Sequence, residues 1–593
     1  MKIKVSDYIS NFLYNNGVKD IFTVVGGGAM YLNDSFGHNK NLHCTYFHHE
    51  QAASMAAEAY ARVNNEIAAV CVTSGPGATN AITGVLCGWM SSIPMLIISG
   101  QARYSTTIHT SNVKLRTRGI QEFDITGSIK NMTKYCELIS DPNMISYCLE
   151  KALFLAKEGK QGPCWLDIPL DVQSAIIDTR KILHYKCNKN SNFPTKKAIN
   201  DVIYELKKAQ RPVILAGNGI RLSESHNKFL ELVDKLNIPV VTTVGSVDAI
   251  SYSHPLFVGI SGTTGSRAGN FAIQNSDLVL SLGSRLSFSH TGFNSKDWAR
   301  NAYKIVNNID INELNKSDID IDLKIDCSVS IFIDLLLSRL EKPLLKKSKW
   351  IDKCLYWKER YPVVQNKHYA DDKPNIYVFY KELSTYLTNK DILLVSAGTA
   401  RVVGSQASMI KEGMRFITNS STASMGYDLP SAIGTCIANN RKRIVVCTGD
   451  GSIQMNIQEL QTIVQNRLPI IIFVLNNKGY HSIRMTQSNY FDNSLVGVGE
   501  ESGDLSFPDL SKLAKAYGIK YLSCHKSVNL TKTINKTLNF DGVCLCELFL
   551  SIKQKTEPKV SSKKLKNGQF KSALLEDMTP FLSRKEFNKN MKI

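Results

Sequence analysis

Two apolar runs in the last third of the chain constrain its fold most. The first, residues 443–448, ends in the turn G-D-G-S at 449–452, and the second, residues 469–475, ends in the Asn pair at 476–477. A helical stretch separates them, and a right-handed crossover brings the carboxyl ends of such parallel strands to one edge of a sheet. The pattern therefore predicts a parallel α/β sheet whose turns carry ligand-binding residues at that edge, where open α/β sheets bind their ligands.

The residue types at these turns suit a metal-bound diphosphate. Asp450 offers a charged oxygen and Asn477 a neutral one, which are ligands that Mg²⁺ accepts together with phosphate oxygens and water. Gly449 and Gly451 let backbone N–H groups approach a diphosphate, whose charge the following helix N-terminus favours. Taken alone, G-D-G is also typical of a strand–turn–helix unit with a capping Asp.

With the crossover and the Asn pair, the segment resembles the cofactor-binding signature of thiamine-diphosphate-dependent enzymes. The resemblance implies that Asp450, Asn477 and the backbone carbonyl of Gly479 bind Mg²⁺. It also implies that Gly449, Gly451 and Ser452 contact the cofactor.

The first part of the chain resembles the other half of such a site. Residues 47–62, F-H-H-E-Q-A-A-S-M-A-A-E-A-Y-A-R, are similar to the segment whose glutamate, here Glu50, bonds the cofactor's aminopyrimidine and promotes loss of the ring C2 proton. Ala52, Ala53, Ala56 and Ala59 predict a closely packed helix. The alternative for Glu50 is a favourable contact with a helix dipole.

Three further runs resemble acetolactate synthases. Residues 26–29 are G-G-G-A where synthases have P-G-G-A, residues 73–80 match T-S-G-P-G-A-T-N in full, and residues 99–101 end in the family's G-Q. The resemblance implies a catalytic role for Gly28 and for the Gln of the run I-Q-E at 120–122, in addition to Glu50. It further implies cofactor contacts, and the residues concerned are Gly27, Ala29, Pro76 and Asn80.

Two segments of the third block complete the implied cofactor site. Met425, in S-M-G-Y, stands where the family has the apolar side chain that bends the cofactor between its rings; the alternative is a Met that fills the core. The segment A-G-T-A at 397–400 replaces the family's G-Q-H, so diphosphate contacts fall to Gly398, Thr399 and Ala400.

Short β-branched runs alternate with helical stretches in three blocks along the chain, which predicts three doubly wound parallel-sheet domains of the α/β class. We expect a pyrimidine-binding domain at 1–178, a central Rossmann-like domain at 198–340 and a diphosphate-binding domain at 370–551. Polar or basic linkers separate the three blocks. A short basic C-terminal tail follows at 552–593.

Charge and composition narrow the functional classes. The net charge is +19, and residues 551–593 contain 11 basic and 4 acidic side chains, which we interpret as a solvated charged tail. The chain has no nucleic-acid-binding motif and no apolar run of 18 residues, so we expect neither nucleic-acid nor membrane partners. The N-terminus has no apolar signal region, and fourteen cysteines without C-x-x-C spacing predict free thiols in the cytoplasm.

The resemblance to acetolactate synthases covers roughly residues 1–550 and implies a carboligase. Such an enzyme decarboxylates pyruvate or a similar 2-keto acid and transfers the two-carbon unit to a second carbonyl compound. Synthases carry R-F-D-D-R where this chain has R-L-S-F-S at 285–289, so the arginine that recognises an acceptor carboxylate is missing. Thr486 replaces a Trp that packs on the acceptor. The acceptor therefore need not be a 2-keto acid, and a keto-sugar nucleotide is a candidate.

Several alternatives remain open at this point. A true acetolactate synthase is the alternative within the class, and a cofactor-binding protein without turnover is the alternative outside it. Glycine-containing fragments at 217–219, 262–266 and 283–285, with the Thr pair at 242–243, fall where synthases bind FAD, and they leave a structural FAD open. The resemblance also implies a homodimer or tetramer whose sites combine the first block of one chain with the third block of another.

Overall fold

The computed structural model describes residues 1–188, 192–340, 348–564, 567 and 570–592. It contains three six-stranded sheets, and every strand pair within them is parallel. The prediction of three parallel-sheet α/β units is confirmed. Strands of such sheets are buried on both faces, which explains their runs of Val, Ile and Leu.

The first sheet has the strand order β3-β2-β4-β5-β7-β6, and a two-stranded antiparallel ribbon pairs β1 with β8. Its strands are β1 (Lys2–Lys4), β2 (Asp20–Thr23), β3 (His43–Tyr46), β4 (Ala69–Val72), β5 (Met95–Gln101), β6 (Tyr135–Leu138), β7 (Pro163–Pro169) and β8 (Ile176–Asp178). Its helices are α1 (Val5–Asn15), α2 (Met30–His38), α3 (Glu50–Asn64), α4 (Pro76–Asn80), α5 (Ile82–Ser91), α6 (Ile125–Ile129), α7 (Ile145–Lys157) and α8 (Leu170–Ser174).

The middle sheet has the order β11-β10-β9-β12-β13-β14. Its strands are β9 (Pro212–Ala216), β10 (Val240–Thr242), β11 (Phe257–Ile260), β12 (Leu278–Leu282), β13 (Tyr303–Asn308) and β14 (Leu323–Asp326). The helices here are α9 (Lys196–Lys208), α10 (Gly219–Leu222), α11 (His226–Leu236), α12 (Arg267–Asn275), α13 (Phe288–Thr291), α14 (Ile311–Asn315), α15 (Val329–Leu337) and α16 (Ser348–Arg360).

The third sheet has the order β16-β15-β17-β18-β20-β19, which repeats the order of the first sheet when strands are counted within each. Its strands are β15 (Ile392–Val395), β16 (Arg415–Ile417), β17 (Ile444–Gly449), β18 (Ile470–Asn476), β19 (Lys520–Cys524) and β20 (Cys544–Phe549). Its helices are α17 (Ile376–Tyr386), α18 (Gly398–Ala407), α19 (Asp428–Ala438), α20 (Asp450–Ile453), α21 (Glu459–Gln465), α22 (His481–Tyr490), α23 (Leu510–Ala516) and α24 (Leu530–Leu538).

The first and third sheets share one hydrophobic core. Buried side chains from both, such as Val70 and Ile472, belong to the same cluster. Helices α3 and α19 meet in this region so closely that a Cβ on Gly434 would lie 1.9 Å from the Ala56 carbonyl oxygen. The middle sheet has buried clusters of its own.

The C-terminal segment contains regular secondary structure and buried apolar side chains, so the prediction of a solvated charged tail is wrong. It contains β21 (Ser562–Lys564), which pairs antiparallel with β22 (Phe570–Ser572), and helix α25 (Arg584–Met591). Leu575 and Met578 are buried, and Leu575 joins the core beside α12. Glu576 pairs with Arg300 at 2.7 Å. Apolar side chains between the charges, which the charge count ignores, dock this segment on the central unit.

All fourteen cysteines are free, and eleven of them are buried. Among the described residues, no helix combines the length and the apolar character that crossing a bilayer requires.

Candidate functional site

Asp450 ties together the ends of two neighbouring strands. Strands β17 and β18 pair in register, with Gly449 opposite Leu475. The buried Asp450 carboxylate accepts backbone N–H bonds from Asn477 at 3.1 Å and Gly479 at 2.9 Å through Oδ2, and from Gly451 at 2.9 Å through Oδ1. The structure therefore brings the predicted metal ligands into one small pocket at the carboxyl edge of the third sheet.

The electrostatics of this pocket suit a cation. Burial raises the pKa of Asp450 to about 6, although its three N–H bonds oppose that rise. Asn477 Oδ1 is buried and has no partner in the protein. Within the described chain no group of three His, Cys, Asp or Glu side chains is placed to bind a metal, so a cation here would rest on mixed oxygen ligands. A carboxylate, an unpaired amide oxygen and a nearby carbonyl fit Mg²⁺.

Arg484, which the sequence did not single out as a site residue, is bonded to the loop that carries the predicted metal ligand Asn477. Its guanidinium donates to the carbonyls of Asn477 at 3.1 Å and Lys478 at 2.9 Å. It also pairs with Glu501 at 2.7 Å, and the Arg484 side chain is buried. The sequence does not indicate that Arg484 binds these carbonyls, because the contact arises only when the loop folds back over the helix.

The predicted cofactor wedge is anchored next to Asp450. The backbone N–H of Gly426 donates to Ser452 Oγ at 3.1 Å, and Asn456 Nδ2 donates to the Gly426 carbonyl at 2.8 Å. Gly426 has a φ of +77°, which glycine adopts readily. Met425 is half-buried at the tip of this turn.

The predicted diphosphate turn begins α18. Gly398 has a φ of +60°, and the Thr399 hydroxyl lies 3.4 Å from that of Ser482 at the start of α22. The Ala400 carbonyl accepts a bond from Tyr380 at 2.9 Å. The turn thus lies beside the helix that follows the loop of Asn477 and Gly479.

Glu50 begins α3 in the first unit. Its carboxylate accepts a bond from Asn80 Nδ2 at 3.0 Å, which joins two independently predicted residues. A Cβ on Gly77, the residue after Pro76, would lie 3.3 Å from Glu50 Oε1. Pro76, Gly77 and Asn80 therefore lie beside this carboxylate.

Gly28 is fixed by residues that the sequence analysis did not assign. Its N–H donates to Thr73 Oγ1 at 2.9 Å, and Gln173 donates to its carbonyl at 2.7 Å. A Cβ on Gly100 would lie 2.0 Å from the Gly28 carbonyl oxygen, which explains a glycine there. The neighbouring Gly27 has open space around it, and Ala29 is buried. The T-S-G-P-G run in the sequence indicates Thr73, but no sequence motif indicates Gln173.

Gln121 lies exposed at the end of a loop that touches the same region. Its φ is +54°, and a Cβ on Gly75 would lie 2.5 Å from the Gln121 carbonyl oxygen. The next residue, Glu122, is buried and accepts N–H bonds from Ile108 at 2.9 Å and Arg118 at 2.6 Å. The loop is therefore held by Glu122, while Gln121 faces outwards.

Hydrogen bonds connect the two groups of predicted residues within one chain. Asn456 Nδ2 donates to Gln51 Oε1 at 3.1 Å, and the His48 N–H donates to Glu459 at 3.2 Å. Glu50 lies between His48 and Gln51, so the N-terminus of α3 is fixed to the segment that follows Asp450.

Around residues 285–290, where the sequence lacks the carboxylate-binding arginine, the Arg285 side chain already contacts other protein groups. Arg285 donates to the Met90 carbonyl at 3.2 Å and lies 3.4 Å from Ser421 Oγ. Burial, together with the charges of Arg285 and Lys316, lowers the pKa of His290 to about 4. His290 is therefore neutral near pH 7.

The turn at residues 217–219, one of the fragments that leave a structural FAD open, fits a dinucleotide poorly. The N–H groups of Gly217, Gly219 and Arg221 already donate to the carbonyls of Leu282, Gly283 and Asn218. A dinucleotide diphosphate needs free N–H groups at such a turn.

Comparisons with known proteins agree with this arrangement. Family models described as "Thiamine pyrophosphate enzyme" match three stretches: the N-terminal TPP binding domain at residues 3–127, the central domain at 199–336 and the C-terminal TPP binding domain at 396–548. Glu50 and Gln121 lie in the first stretch, and Asp450 and Asn477 lie in the last.

Curated relatives match over nearly the whole chain. The acetolactate synthase large subunit of Cyanidium caldarium is 30% identical over 570 residues, which cover 93% of this chain and 94% of that protein. The acetolactate synthase large subunit of Lactococcus lactis subsp. lactis (strain IL1403) is 29% identical over 560 residues, 94% of each chain. The acetolactate synthase isozyme 3 large subunit of Escherichia coli (strain K12) is 29% identical over 523 residues, 86% of this chain and 88% of that protein.

Proposed function

The chain belongs to the thiamine pyrophosphate enzymes and is acetolactate-synthase-like, and we propose that it is a carboligase. In this proposal it decarboxylates pyruvate or a similar 2-keto acid and transfers the two-carbon unit to a carbonyl acceptor. When bound, thiamine diphosphate supplies the electron sink that such a decarboxylation needs.

The arrangement of Asp450 and Asn477 is the observation that carries this proposal. A buried carboxylate beside an unpartnered amide oxygen is costly unless a ligand compensates for it. In our proposal Asp450, Asn477 and the Gly479 carbonyl bind Mg²⁺. Arg484 keeps the loop in place.

The N-terminal residues have positioning and proton-handling roles in the proposal. Glu50 provides the carboxylate that bonds the aminopyrimidine, and its bond to Asn80 fixes its orientation. Gln121 presents its amide from a loop that Glu122 holds rigid. Gly28 brings backbone close to the reacting centre, where a side chain would occupy the space.

For the acceptor we propose a ketone without a carboxylate to be clamped, with a keto-sugar nucleotide as the candidate. Arg285 already donates to a backbone carbonyl, His290 is neutral, and Ser289 stands where the related synthases carry arginine. In the described part of the chain, Arg285 is therefore not free for a bidentate contact with an acceptor carboxylate.

The second candidate function is acetolactate synthesis, with pyruvate as both donor and acceptor. The identity to acetolactate synthase large subunits over nearly the whole chain favours it. The two candidates differ only in what accepts the two-carbon unit.

Product analysis separates the two candidates. The purified protein is incubated with thiamine diphosphate, Mg²⁺ and ¹³C-labelled pyruvate, with and without a keto-sugar nucleotide, and the products are identified by mass spectrometry. We expect a labelled branched sugar nucleotide and little acetolactate. Acetolactate as the main product in both reactions would support the second candidate. No CO₂ release from pyruvate, or from other 2-keto acids tested in its place, would overturn carboligation altogether.

The role of Glu50 is tested by Glu50→Gln. We expect decarboxylation to fall by about 10³-fold, because a proton-transfer group contributes about 10²–10⁴, while thiamine diphosphate still binds. Glu66→Gln, at an exposed glutamate just beyond α3, is the matched control and should retain full activity. An active Glu50→Gln protein would remove Glu50 from the proposal.

The assembly and location are also proposals. We propose a homodimer or tetramer in which Glu50 of one chain and Asp450 of another serve one site. Light scattering tests the assembly state. Mixing inactive variants tests the shared site, because Glu50→Gln and Asp450→Asn chains should regain activity when mixed. The free cysteines support a cytoplasmic location. We assign no step to FAD, because the proposed chemistry is not a redox reaction and the turn offers few free N–H groups.

A further inference from the structure

A cavity lies apart from the candidate active site, between the central and C-terminal units. Its interior volume is about 110 Å³. Strand β11 and helix α16 border it on one side, and the last turn of α18 with residues 408–410 borders it on the other. None of the residues predicted to bind thiamine diphosphate or the metal lines it, and of the fragments compared with an FAD site only Ser266 does.

The walls of this cavity are mainly apolar. Side chains from four separate segments contribute, among them Val247, Tyr252, Phe257, Val364 and Ile410. Such a lining favours a ligand with an apolar body, since apolar surface removed from water stabilises the complex.

Two lysines give the cavity a positive charge. Lys358 Nζ donates to the carbonyls of Tyr252 at 2.8 Å and Phe257 at 3.0 Å, and it lies 4.5 Å from the Tyr252 ring centre. An ammonium has three N–H donors, so one remains. In the part of the chain that the structure describes, no carboxylate forms an ion pair with Lys358 or with Lys381, the second lysine of the lining. Burial lowers the pKa of Lys358 to about 8, and a bound anion would compensate for its desolvation.

Polar groups at the end of α18 add hydrogen-bonding capacity. Ser405, Gln406 and Ser408 all line the cavity and are more than nine-tenths buried. The two hydroxyl oxygens and Gln406 Oε1 have no partner in the protein. Buried polar atoms are normally bonded, so three orphans at one cavity indicate a place for a polar ligand group.

Helix α18 connects this cavity to the candidate active site. It begins at Gly398, in the predicted diphosphate turn, and ends at Ala407 in the cavity wall, about 15 Å away. Gln406 Nε2 also donates to the Gly265 carbonyl at 3.0 Å and the Pro558 carbonyl at 2.8 Å. The cavity end of α18 is thus bonded to the central unit and to the C-terminal segment.

We propose that this cavity is an effector site for a small organic monoanion with an apolar body, about the size of benzoate. The anion pairs with Lys358, its body packs against the Val, Phe and Tyr walls, and its polar atoms bond the hydroxyls of Ser405 and Ser408. Occupancy acts on cofactor binding through α18. This inference does not depend on the identity of the acceptor.

The test of the site uses two fluorinated probes of similar shape, 4-fluorobenzoate and neutral 4-fluorobenzyl alcohol, followed by ¹⁹F NMR titration of the full-length protein. We expect Lys358→Met to raise the Kd of 4-fluorobenzoate about tenfold and to leave that of the alcohol within about twofold. Lys353→Met, on the same helix but outside the lining, is the matched control and should change neither Kd.

A second variant keeps the test decisive. Ala407→Leu, which fills the cavity, should weaken both probes while circular dichroism stays unchanged. Equal affinity of 4-fluorobenzoate for wild type and Lys358→Met, or binding that survives Ala407→Leu, would overturn the site.

Coupling to the active site has its own readout. A saturating concentration of 4-fluorobenzoate should shift the half-saturating concentration of thiamine diphosphate, measured by tryptophan fluorescence with Mg²⁺ present. Thiamine diphosphate should change the Kd of 4-fluorobenzoate by the same factor, because linkage is reciprocal. If neither ligand changes the binding of the other, transmission through α18 is refuted. The binding test alone then decides whether the cavity is a ligand site.

Discussion

Metal binding at Asp450 should depend steeply on pH below neutrality. The carboxylate must lose its proton to bind a cation, and burial raises its pKa in the metal-free protein to about 6. At pH 7 about nine-tenths of Asp450 is then ionised, and at pH 5 about one-tenth, so the apparent Kd for the metal should be about tenfold higher at pH 5. Between pH 7 and 8 it should hardly change.

The same shift has a consequence for stability. A carboxyl group whose pKa is raised on folding is favoured in its protonated form, so its contribution is present below the unfolded pKa of 3.8 and is lost as the pH rises through about 6. Two pKa units correspond to about 3 kcal/mol. The contribution of Asp450 to the stability of the metal-free protein should therefore be smaller at pH 7 than at pH 5. Added Mg²⁺ should restore part of that loss.

The assay uses Mn²⁺ as a stand-in for Mg²⁺ and counts free Mn²⁺ by electron paramagnetic resonance at pH 5, 6, 7 and 8 and constant ionic strength. Thiamine diphosphate is left out, because its own phosphates titrate in this range. Asp428→Asn is the matched control: Asp428 is a buried neighbour whose pKa burial also raises, and its removal should leave the pH curve unchanged. An apparent Kd that changes less than about threefold between pH 5 and 7 would refute the reasoning.

Three further predictions concern helix packing and the acceptor site. Gly434→Ala should lower the free energy of unfolding by about 1–3 kcal/mol, since its Cβ would meet the Ala56 carbonyl; an unchanged urea midpoint would contradict this. Tyr427→Phe removes a bond to the buried Glu58 carboxylate and should cost about 1.5–3 kcal/mol in the same assay; a loss below about 0.5 kcal/mol would argue against a bond in solution. Ser289→Arg should raise acetolactate formation from pyruvate about tenfold or more, by creating a charge-assisted contact to the acceptor carboxylate; no gain in a folded protein, assayed by product, would show that the missing arginine does not set the acceptor.

The proximity of Asp450 and Asn477 is predictable from the sequence because strand order and register fix it. Asp450 follows β17 directly, and Asn477 follows its neighbour β18, so pairing Gly449 with Leu475 brings the two together. The contact between Glu50 and Asn80 is less predictable, because β2 separates the strands that precede them and neither residue follows its strand directly.

Contacts between elements distant in sequence could not be predicted in this way. Arg484 reaches the carbonyls of Asn477 and Lys478 only because the loop after β18 folds back over α22. The C-terminal segment packs against α12 through Leu575 and Met578. No sequence pattern identifies these two residues as buried in a segment with eleven basic residues. Such contacts depend on how the units approach each other, and a charge count or a strand pattern carries no information about that.

The small residues of α3 show how packing and chemistry are linked in this chain. Helix α3 begins at Glu50, and helix α19 begins at Asp428, three residues after Met425. The two helices contact each other at Ala56 and Gly434, where no larger side chain fits. Because Glu50 begins α3 and Met425 lies just before α19, their close contact fixes where these two residues stand relative to each other within one chain. The alanines that follow Glu50 therefore allow a second helix of the same chain to approach the start of α3, although none of them is proposed to touch the cofactor.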